Sequence, residues 1–422
     1  MGAGPSGCAL AILLVREGAD VTLFDDGRHP ELLVGESLVP AAVPILQRLG
    51  LEQETATLGL RKPGVSFVWS PSDRFSFSFA RFAPAVPAYA YNIPRPRFDE
   101  AMLAATVAAG VQLVAVRARL VRDPAGGAVE LALAPETLAA APALGDQQPD
   151  LIVDATGRAR LAARLLGIPA RTGPRNDLAH FAHFEGCRWD DVPGQVIIRR
   201  LQAGWSWCIP LRDRLSVGIV VGREDVSRLG GTPAERLERA IAADPWLSTI
   251  AAGARRVTSV ATYANYQLIS ERGYGRGWVM VGDAFGFVDP MLSPGVFVAL
   301  RSAELVAHAL APFLRRRASP SPAALASALR PYADSQTALL AAWIDLVAYF
   351  YDGRMPALFR AGRDWVNGGS NGLRNAAQRH IERHIALQAT GVGTLSGYSR
   401  GLLRLLGRHG LRGVEPAELA IR

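Results

Sequence analysis

The chain opens on glycines at the spacing G-x-G-x-x-G (Gly2, Gly4 and Gly7), and no other feature restricts its fold as strongly. Glycines so placed permit a tight turn, close approach of backbone to a pyrophosphate, and close packing of the helix that follows. The helix start then offers free N–H groups and its positive dipole end to the phosphates. Asp25 ends the next apolar strand, where a carboxylate reaches a ribose hydroxyl. Glycine-rich turns are common, so the weight falls on two later segments. Asp154-Ala-Thr-Gly157-Arg158 follows one short apolar strand, and Gly282-Asp283-Ala284 follows another, Trp278–Val281. A strand ordinarily leads into such a glycine turn. Here Met1 abuts Gly2, so the sheet is expected to lack its first strand and to keep a slot with unpaired backbone groups beside it.

A length of 422 residues suffices for two or three packed regions, with 49% hydrophobic and 20% charged residues as in ordinary globular enzymes. The formal charge of +8 does not point to nucleic acid. All but one of the 46 basic residues are arginines scattered along the chain, with no basic stripe interleaved with aromatics. Cys8, Cys187 and Cys208 lack paired metal-ligand spacing, which points to free thiols and a cytoplasmic, reducing setting. No apolar run reaches the ~20 residues that span a bilayer, so neither a transmembrane segment nor a leader is expected.

Along the chain, a helix is expected near Val39–Leu49, ending at Gly50, and another over Phe98–Ala109. Residues 63–92 alternate aromatic and polar side chains, the period-two pattern of antiparallel strands. Val111–Val121 and Val129–Leu133 read as strands around a turn at Pro124–Gly127, and 134–149 as a loop insertion. Residues 178–270 are again strand-rich, with a helix near Pro233–Ala243. From Val296 onward the pattern is helical, broken at Pro320–Pro322 and at the glycines of 368–372.

The three-part set of glycine turn, Asp154–Arg158 and Gly282–Ala284 resembles the FAD-dependent monooxygenase and halogenase superfamily. That resemblance implies FAD, with Asp283 bonding the flavin ribitol or ribose and Gly157 and Gly282 shaping its turns. Arg95, in R-x-x-F-D before a helix, resembles the cofactor-contacting arginine of that superfamily. The expected fold class is α/β: a FAD-binding Rossmann-like (three-layer) domain with an inserted antiparallel-sheet substrate domain and a helical C-terminal region. The FAD-binding domain is expected to be discontinuous over 1–60, 93–177 and 271–312, the substrate-domain sheet to comprise 61–92 and 178–270, and the helical region 313–422. Gly273–Gly277 precedes a strand instead of opening a helix and so is no second dinucleotide fingerprint. Reduced flavin is then expected from a separate flavin reductase.

Three further motifs resemble the flavin-dependent halogenases of phenol and pyrrole type. Trp205-Ser-Trp207-Cys-Ile209-Pro210 matches W-x-W-x-I-P, and the resemblance implies that both tryptophans keep substrate off the flavin while halide gains access. Phe287-Val-Asp-Pro290-Met-Leu-Ser293-Pro-Gly295 matches F-x-x-P-x-x-S-x-G, implying the loop that shapes the halide site. Lys62, the single lysine of the chain, stands before Gly64-Val-Ser-Phe67-Val-Trp69, where the family carries its halogen-delivering lysine. An ammonium there polarises hypohalous acid by hydrogen bonding, whereas a neutral amine is halogenated outright. Burial lowers a lysine pKa and opens the second route, and arginine suits neither.

Two positions depart from the family. Pro294 replaces a residue whose N–H helps bind halide, leaving the amides of Gly295 and Val296. Leu292 stands where tryptophan halogenases carry a catalytic glutamate, which favours phenol-like or pyrrole-like aromatics, free or bound to a carrier protein. Two other readings stay open at this stage: an FAD-dependent aromatic hydroxylase on the same scaffold, and an inactive FAD-binding paralogue. His380 and His384, four apart on an expected helix, have metal-like spacing without a third ligand and read as packing residues. Glu36-Ser37 resembles a family segment near the flavin and also suits a helix N-cap. Gly401–Gly413 is basic and amphipathic, the composition of a solvated helix or of one facing a membrane surface or an acidic carrier.

Overall fold

In the computed structural model, residues 1–422 are described except 71, 124–126, 128, 317–319, 368–371, 412 and 422. Most of the turn expected at Pro124–Gly127 and most of the break at 368–372 lie outside the described residues. The fold is α/β, as the motif order implies. Two parallel strand pairs form the nucleotide-binding part: Thr22–Phe24 with Gln112–Val114, and Ile152–Asp154 with Trp278–Met280. The glycine helix Pro5–Arg16 packs against helices Gly295–Arg315 and Arg95–Ala108.

The expected gap between these two pairs holds no strand among the described residues, but its end beside the glycine turn is bonded. The Gly2 N–H donates to Phe24 O at 2.9 Å, the Met1 nitrogen donates to Val153 O at 3.0 Å, and Met1 O accepts from Ala155 at 2.9 Å. No strand lies between the two pairs, but residues 1 and 2 bond to both of them at the C-terminal ends, which corrects the expectation of unpaired backbone groups next to the turn.

A second, larger sheet runs in the order Gly286–Phe287, Ala261–Ser270, Ala170–Glu185, Leu215–Gly222, Trp205–Pro210, Val196–Arg200, Gly64–Ser70, Asp73–Ser78. Only the Val196–Arg200 pairing with Gly64–Ser70 is parallel. The strand Ala170–Glu185 runs unbroken through position 178, and its register against Ala261–Ser270 shifts between Thr172 and Asn176. Side chains alternate across the sheet. Phe181, Ile198, Trp205, Trp207 and Val220 belong to the main core, whereas Ala182, Ile197, Cys208, Val217 and Ile219 pack under helices Pro233–Ala243 and Pro245–Ile250.

Several expected elements shift. Val111–Val121 forms two short strands, 112–114 and 120–122, and the expected loop insertion contains the helix Pro135–Ala139. The helical tail includes Pro322–Tyr351, which lays Phe350 against Phe67 with ring centroids 4.8 Å apart. Helix Gly295–Arg315 is long and apolar enough to cross a membrane, yet Val296, Leu300, Ala303, Val306 and Leu310 are core residues.

A Cβ at position 7 would lie 2.0 Å from Gly2 O, whereas one at position 4 would meet nothing within 4 Å. Gly7→Ala is therefore expected to lower the melting temperature by several degrees and to lose bound FAD. Gly4→Ala should keep the melting temperature and weaken FAD alone. Thermal melts and bound-flavin absorbance of the two variants check this.

Candidate active site

The dinucleotide elements converge on one cavity of about 680 Å³, well inside the roughly 300–1,000 Å³ of cofactor pockets. Gly2 has φ +91°, and a Cβ on it would sit 2.5 Å from Ala155 O. Gly2 therefore makes the turn, Gly7 lets the helix pack, and Gly4 leaves bare backbone on the cavity wall. Asp25 accepts the Ala3 N–H at 2.7 Å and the Gly27 N–H at 2.9 Å, which pins its carboxylate in the wall. Arg95 is held flat against Asp99 by two 3.0 Å hydrogen bonds and donates to Val34 O at 2.7 Å.

Asp283 rides on the turn Gly282–Ala284, where burial pushes its carboxyl up against the opposing pull of Arg158 and Arg95. Gly282 does not line the cavity. Its φ of +60° and bare Cα bring that turn onto Ser6, 2.7 Å from where a Cβ would stand. Gly157, at φ +58°, lines the cavity beside Thr156 and Arg158. The Asp154 carboxylate accepts from Thr156 and Ala162 N–H and so fixes this turn. Bare glycine backbone, a helix N-terminus and two wall carboxylates fit FAD.

Trp205 and Trp207 occupy one face of their strand, with ring centroids 5.9 Å apart, and both line the cavity. Trp207 lies on Gly218, where a Cβ would come within 2.2 Å of the indole. Trp205 Nε1 donates to the Tyr351 hydroxyl at 2.9 Å, and Tyr351 donates to Asp289 with both carboxylate oxygens 3.3 Å away. Burial, then the Asp289 and Asp177 carboxylates, push the Tyr351 hydroxyl well above the ordinary phenol range. Arg175 stacks 4.0 Å over the Tyr351 ring and pairs with Asp177 at 2.8 Å. Arg175 stands where the register slips, and such bulges re-aim side chains.

In the Phe287–Gly295 loop, Leu292 (φ 66°) and Ser293 (φ 57°) are both left-handed without being glycine. Each such residue costs on the order of 1–3 kcal/mol unless its surroundings enforce it. The Ser293 N–H donates to Pro290 O at 3.0 Å, closing the turn. Pro294 is the N-cap of helix Gly295–Arg315, with φ −76°. The amides of Gly295 and Val296 belong to the first turn, have no intrahelical acceptor, and line the cavity with Pro290 and Ser293.

Lys62 stands one layer behind that cavity. Its strand Leu60–Lys62 pairs with Ala90–Asn92, with Lys62 opposite the small Ala90. Residues 36–38 run along the far side of Ala90–Asn92 through Ile93 N–H to Glu36 O (2.7 Å) and Leu38 N–H to Tyr91 O (2.8 Å). The lysine amine reaches Ser37 Oγ at 2.8 Å and Leu38 O at 3.0 Å, 5.6 Å from the Phe79 ring centroid. Only 4% of Lys62 is exposed, and burial brings its pKa down to about 7.

Ser37 lines the cavity, and its hydroxyl accepts from the amine, so this residue stands between the two. Glu36 and Ser37 both line the cavity, and the alternative of a helix N-cap does not hold, because Ser37 bridges to Asn92 and the helix begins at Ala42. Glu36 instead pairs with His183 at 2.8 Å, both buried. That pair and Ser37's bond to Lys62 join residues far apart in sequence, and no local spacing signals either. His380 and His384 bond Tyr398 and Ser399, and no metal-ligand cluster occurs among the described residues.

Such a cavity in an α/β fold defines an FAD-dependent oxidoreductase. A family model described as tryptophan halogenase matches residues 1–88 and 83–351. A tryptophan 2-halogenase of Chondromyces crocatus is 29% identical over 402 residues, 93% of this chain and 75% of that protein. A 1H-pyrrole-2-carbonyl-(peptidyl-carrier protein) brominase of Pseudoalteromonas luteoviolacea is 26% identical over 319 residues, 74% of this chain and 76% of that one. The solved structure of the myxobacterial chondrochloren halogenase, an FAD-dependent halogenase, superposes with a TM-score of 0.70 at 27% identity, covering 83% of this chain and 81% of the other. The chain belongs to the tryptophan halogenase family of flavin-dependent halogenases, and it uses FAD and halide.

Because Lys62 is the sole lysine, side-chain-labelled lysine gives one NMR signal. Its titration midpoint is expected near 7. A lysine whose folded pKa lies below its unfolded value makes the unfolded state bind more protons between the two. Stability should therefore rise from pH 7 toward pH 10.5, the ordinary lysine value, by up to about 1.4 kcal/mol per pH unit. Lys62→Met should lack this rise in denaturant titrations across the range.

Proposed function

We propose that this chain halogenates an electron-rich aromatic, phenol-like or pyrrole-like and free or carrier-bound, consuming reduced FAD, O2 and halide. The observation that carries this reading is Lys62, a desolvated amine bonded to a hydroxyl of the cavity wall. The Gly2–Gly7 turn, Asp25, Arg95, Gly157 and Asp283 would hold FAD. When bound, reduced FAD would activate O2, which supplies the oxidising equivalent that converts halide to hypohalous acid. The remaining steps belong to the side chains.

Trp205 and Trp207 fill the wall through which an aromatic would reach the cofactor, and Tyr351 holds the Trp205 indole in place. Ser293, Pro290 and the Gly295 and Val296 amides form the halide side, a small concavity of N–H groups at a helix start. The neutral Lys62 amine attacks the halogen of hypohalous acid; N–X forms, O–X breaks, and water leaves. The haloamine then passes its halogen to a ring carbon, which loses a proton as the amine is restored. Leu292 offers no carboxylate to take that proton, so the ring must itself be electron-rich. The pyrrole named for the brominase relative is such a ring, and its carrier motivates the carrier-bound alternative. A separate reductase supplies the reduced flavin, in a reducing cytoplasm consistent with the free thiols of Cys8, Cys187 and Cys208.

Purified protein with FAD, a flavin reductase, NADH and bromide is expected to brominate members of a phenol and pyrrole panel; oxygenated product independent of halide would overturn this reading. Lys62→Ala and Lys62→Arg should both lose halogenated product by at least about 100-fold, read by mass spectrometry of the products. Pro294→Ser restores an amide at the halide side and is expected to lower the bromide KM by about tenfold, the worth of one hydrogen bond to an ion.

A further inference from the structure

We infer that Ser37 is a catalytic residue: its hydroxyl relays the proton that Lys62 loses to the oxygen that leaves the halogen. The inference rests on the halogenase reading and adds a group to its chemistry. Ser37 Oγ lies 2.8 Å from Lys62 Nζ, Ser37 lines the 680 Å³ cavity, and Lys62 is not among the lining residues. Hypohalous acid arriving from the cavity therefore meets the Ser37 hydroxyl beside the amine.

Transfer has a proton problem that this placement solves. Nζ must give up a hydrogen as N–X forms, while the departing hydroxide must gain one. Leu38 O, the other partner of Nζ at 3.0 Å, accepts a hydrogen bond but has no proton to pass on. A serine hydroxyl both accepts and donates. Nζ–H gives its proton to Ser37 Oγ as Ser37 Oγ–H gives its own to the leaving oxygen. Amine and hypohalous acid become haloamine and water, and serine ends as it began. No redox partner beyond hypohalous acid is required.

Backbone bonds fix the serine for this task. Glu36 O and the Leu38 N–H, on either side, are tied to Ile93 and Tyr91 at 2.7 and 2.8 Å. The Glu36 side chain is anchored to His183, leaving the Lys62 contact to Ser37.

The test separates a relay from a merely structural or electrostatic role. Enzyme charged with reduced FAD, bromide and O2 is offered a phenol acceptor and a β-diketone trap in bulk solution, and the bromine is partitioned between them. In Ser37→Ala the share reaching phenol is expected to fall at least about tenfold, with the trap gaining it, and Ser37→Thr should recover most of the loss. The single lysine NMR signal is read in each variant. Removing an acceptor from the ammonium should lower the Lys62 midpoint, so an electrostatic role predicts faster transfer in Ser37→Ala, whereas a relay predicts slower transfer. Unchanged partition, or a lysine signal in Ser37→Ala returned to the ordinary range, would overturn the relay.

Wild-type enzyme gives a check independent of variant folding. Across H2O–D2O mixtures the phenol share should show the curved dependence of two protons in flight, and a straight line would count against it. Absence of bromination of both phenol and trap by the wild type would overturn the halogenase reading, and the relay with it.

Discussion

The costliest constraint in this molecule is the burial of one amine. Charged, the Lys62 ammonium would have to be stripped of water in a wall with two hydrogen-bond acceptors and an aromatic ring around it. The structure settles this by making the neutral form accessible near neutrality, which is also the nucleophilic form. Much of the local architecture follows. Ala90, fully buried opposite Lys62, leaves room beside the long side chain. The 36–38 segment runs along Ala90–Asn92 and presents Ser37 to the amine. Glu36, next in line, ties that segment to the large sheet through His183. The wall between cavity and lysine is thus braced on both sides, and one hydroxyl connects them.

The other wall is braced from the helical tail. Trp205 is fully buried in the main core, and a directional bond adds to that packing. Its N–H is bonded to Tyr351, which closes a chain to Asp289 in the same loop that carries Ser293. Arg175 stacks on Tyr351 at the register slip of its strand and balances the two nearby carboxylates. Trp205 and the Phe287–Gly295 loop are therefore linked through a tyrosine contributed by helix Pro322–Tyr351. The tail belongs to the site as much as the glycine turn does.

What could be read in the sequence follows from how far each feature reaches. The glycine turn, the Asp154 and Asp283 turns, the paired tryptophans and the Pro290–Gly295 loop are local, and each spacing encodes its own geometry. Arg95 and Asp99, four apart on one helix, were equally open to local reading. Ser37 and Lys62, Glu36 and His183, and Trp205 and Tyr351 meet only through the sheet order, which no local pattern reports. Glu36-Ser37 satisfied the composition of an N-cap, but tertiary pairing with Ala90–Asn92 took those residues into an extended bridge. Among the described residues no strand precedes the glycine helix, and the two strand pairs remain separate sheets. What the local pattern did not show is that Met1 and Gly2 bond to the backbone next to the turn on both sides.

Pro294 can be weighed on the same terms. At the N-cap its ring replaces an N–H that would otherwise face the halide side, and its φ of −76° is what proline prefers. Leu292 and Ser293 adopt left-handed angles immediately before it, against the extended preference of a residue that precedes proline. The turn is therefore held by its own contacts, the Ser293 N–H to Pro290 O bond among them. Proline thus removes one donor while fixing the N-cap of the helix whose first two residues line the cavity. Each hydrogen bond to an ion contributes about 1.5–3 kcal/mol, so in the proposed halide site proline would forgo one such bond and leave the two first-turn amides at the cavity.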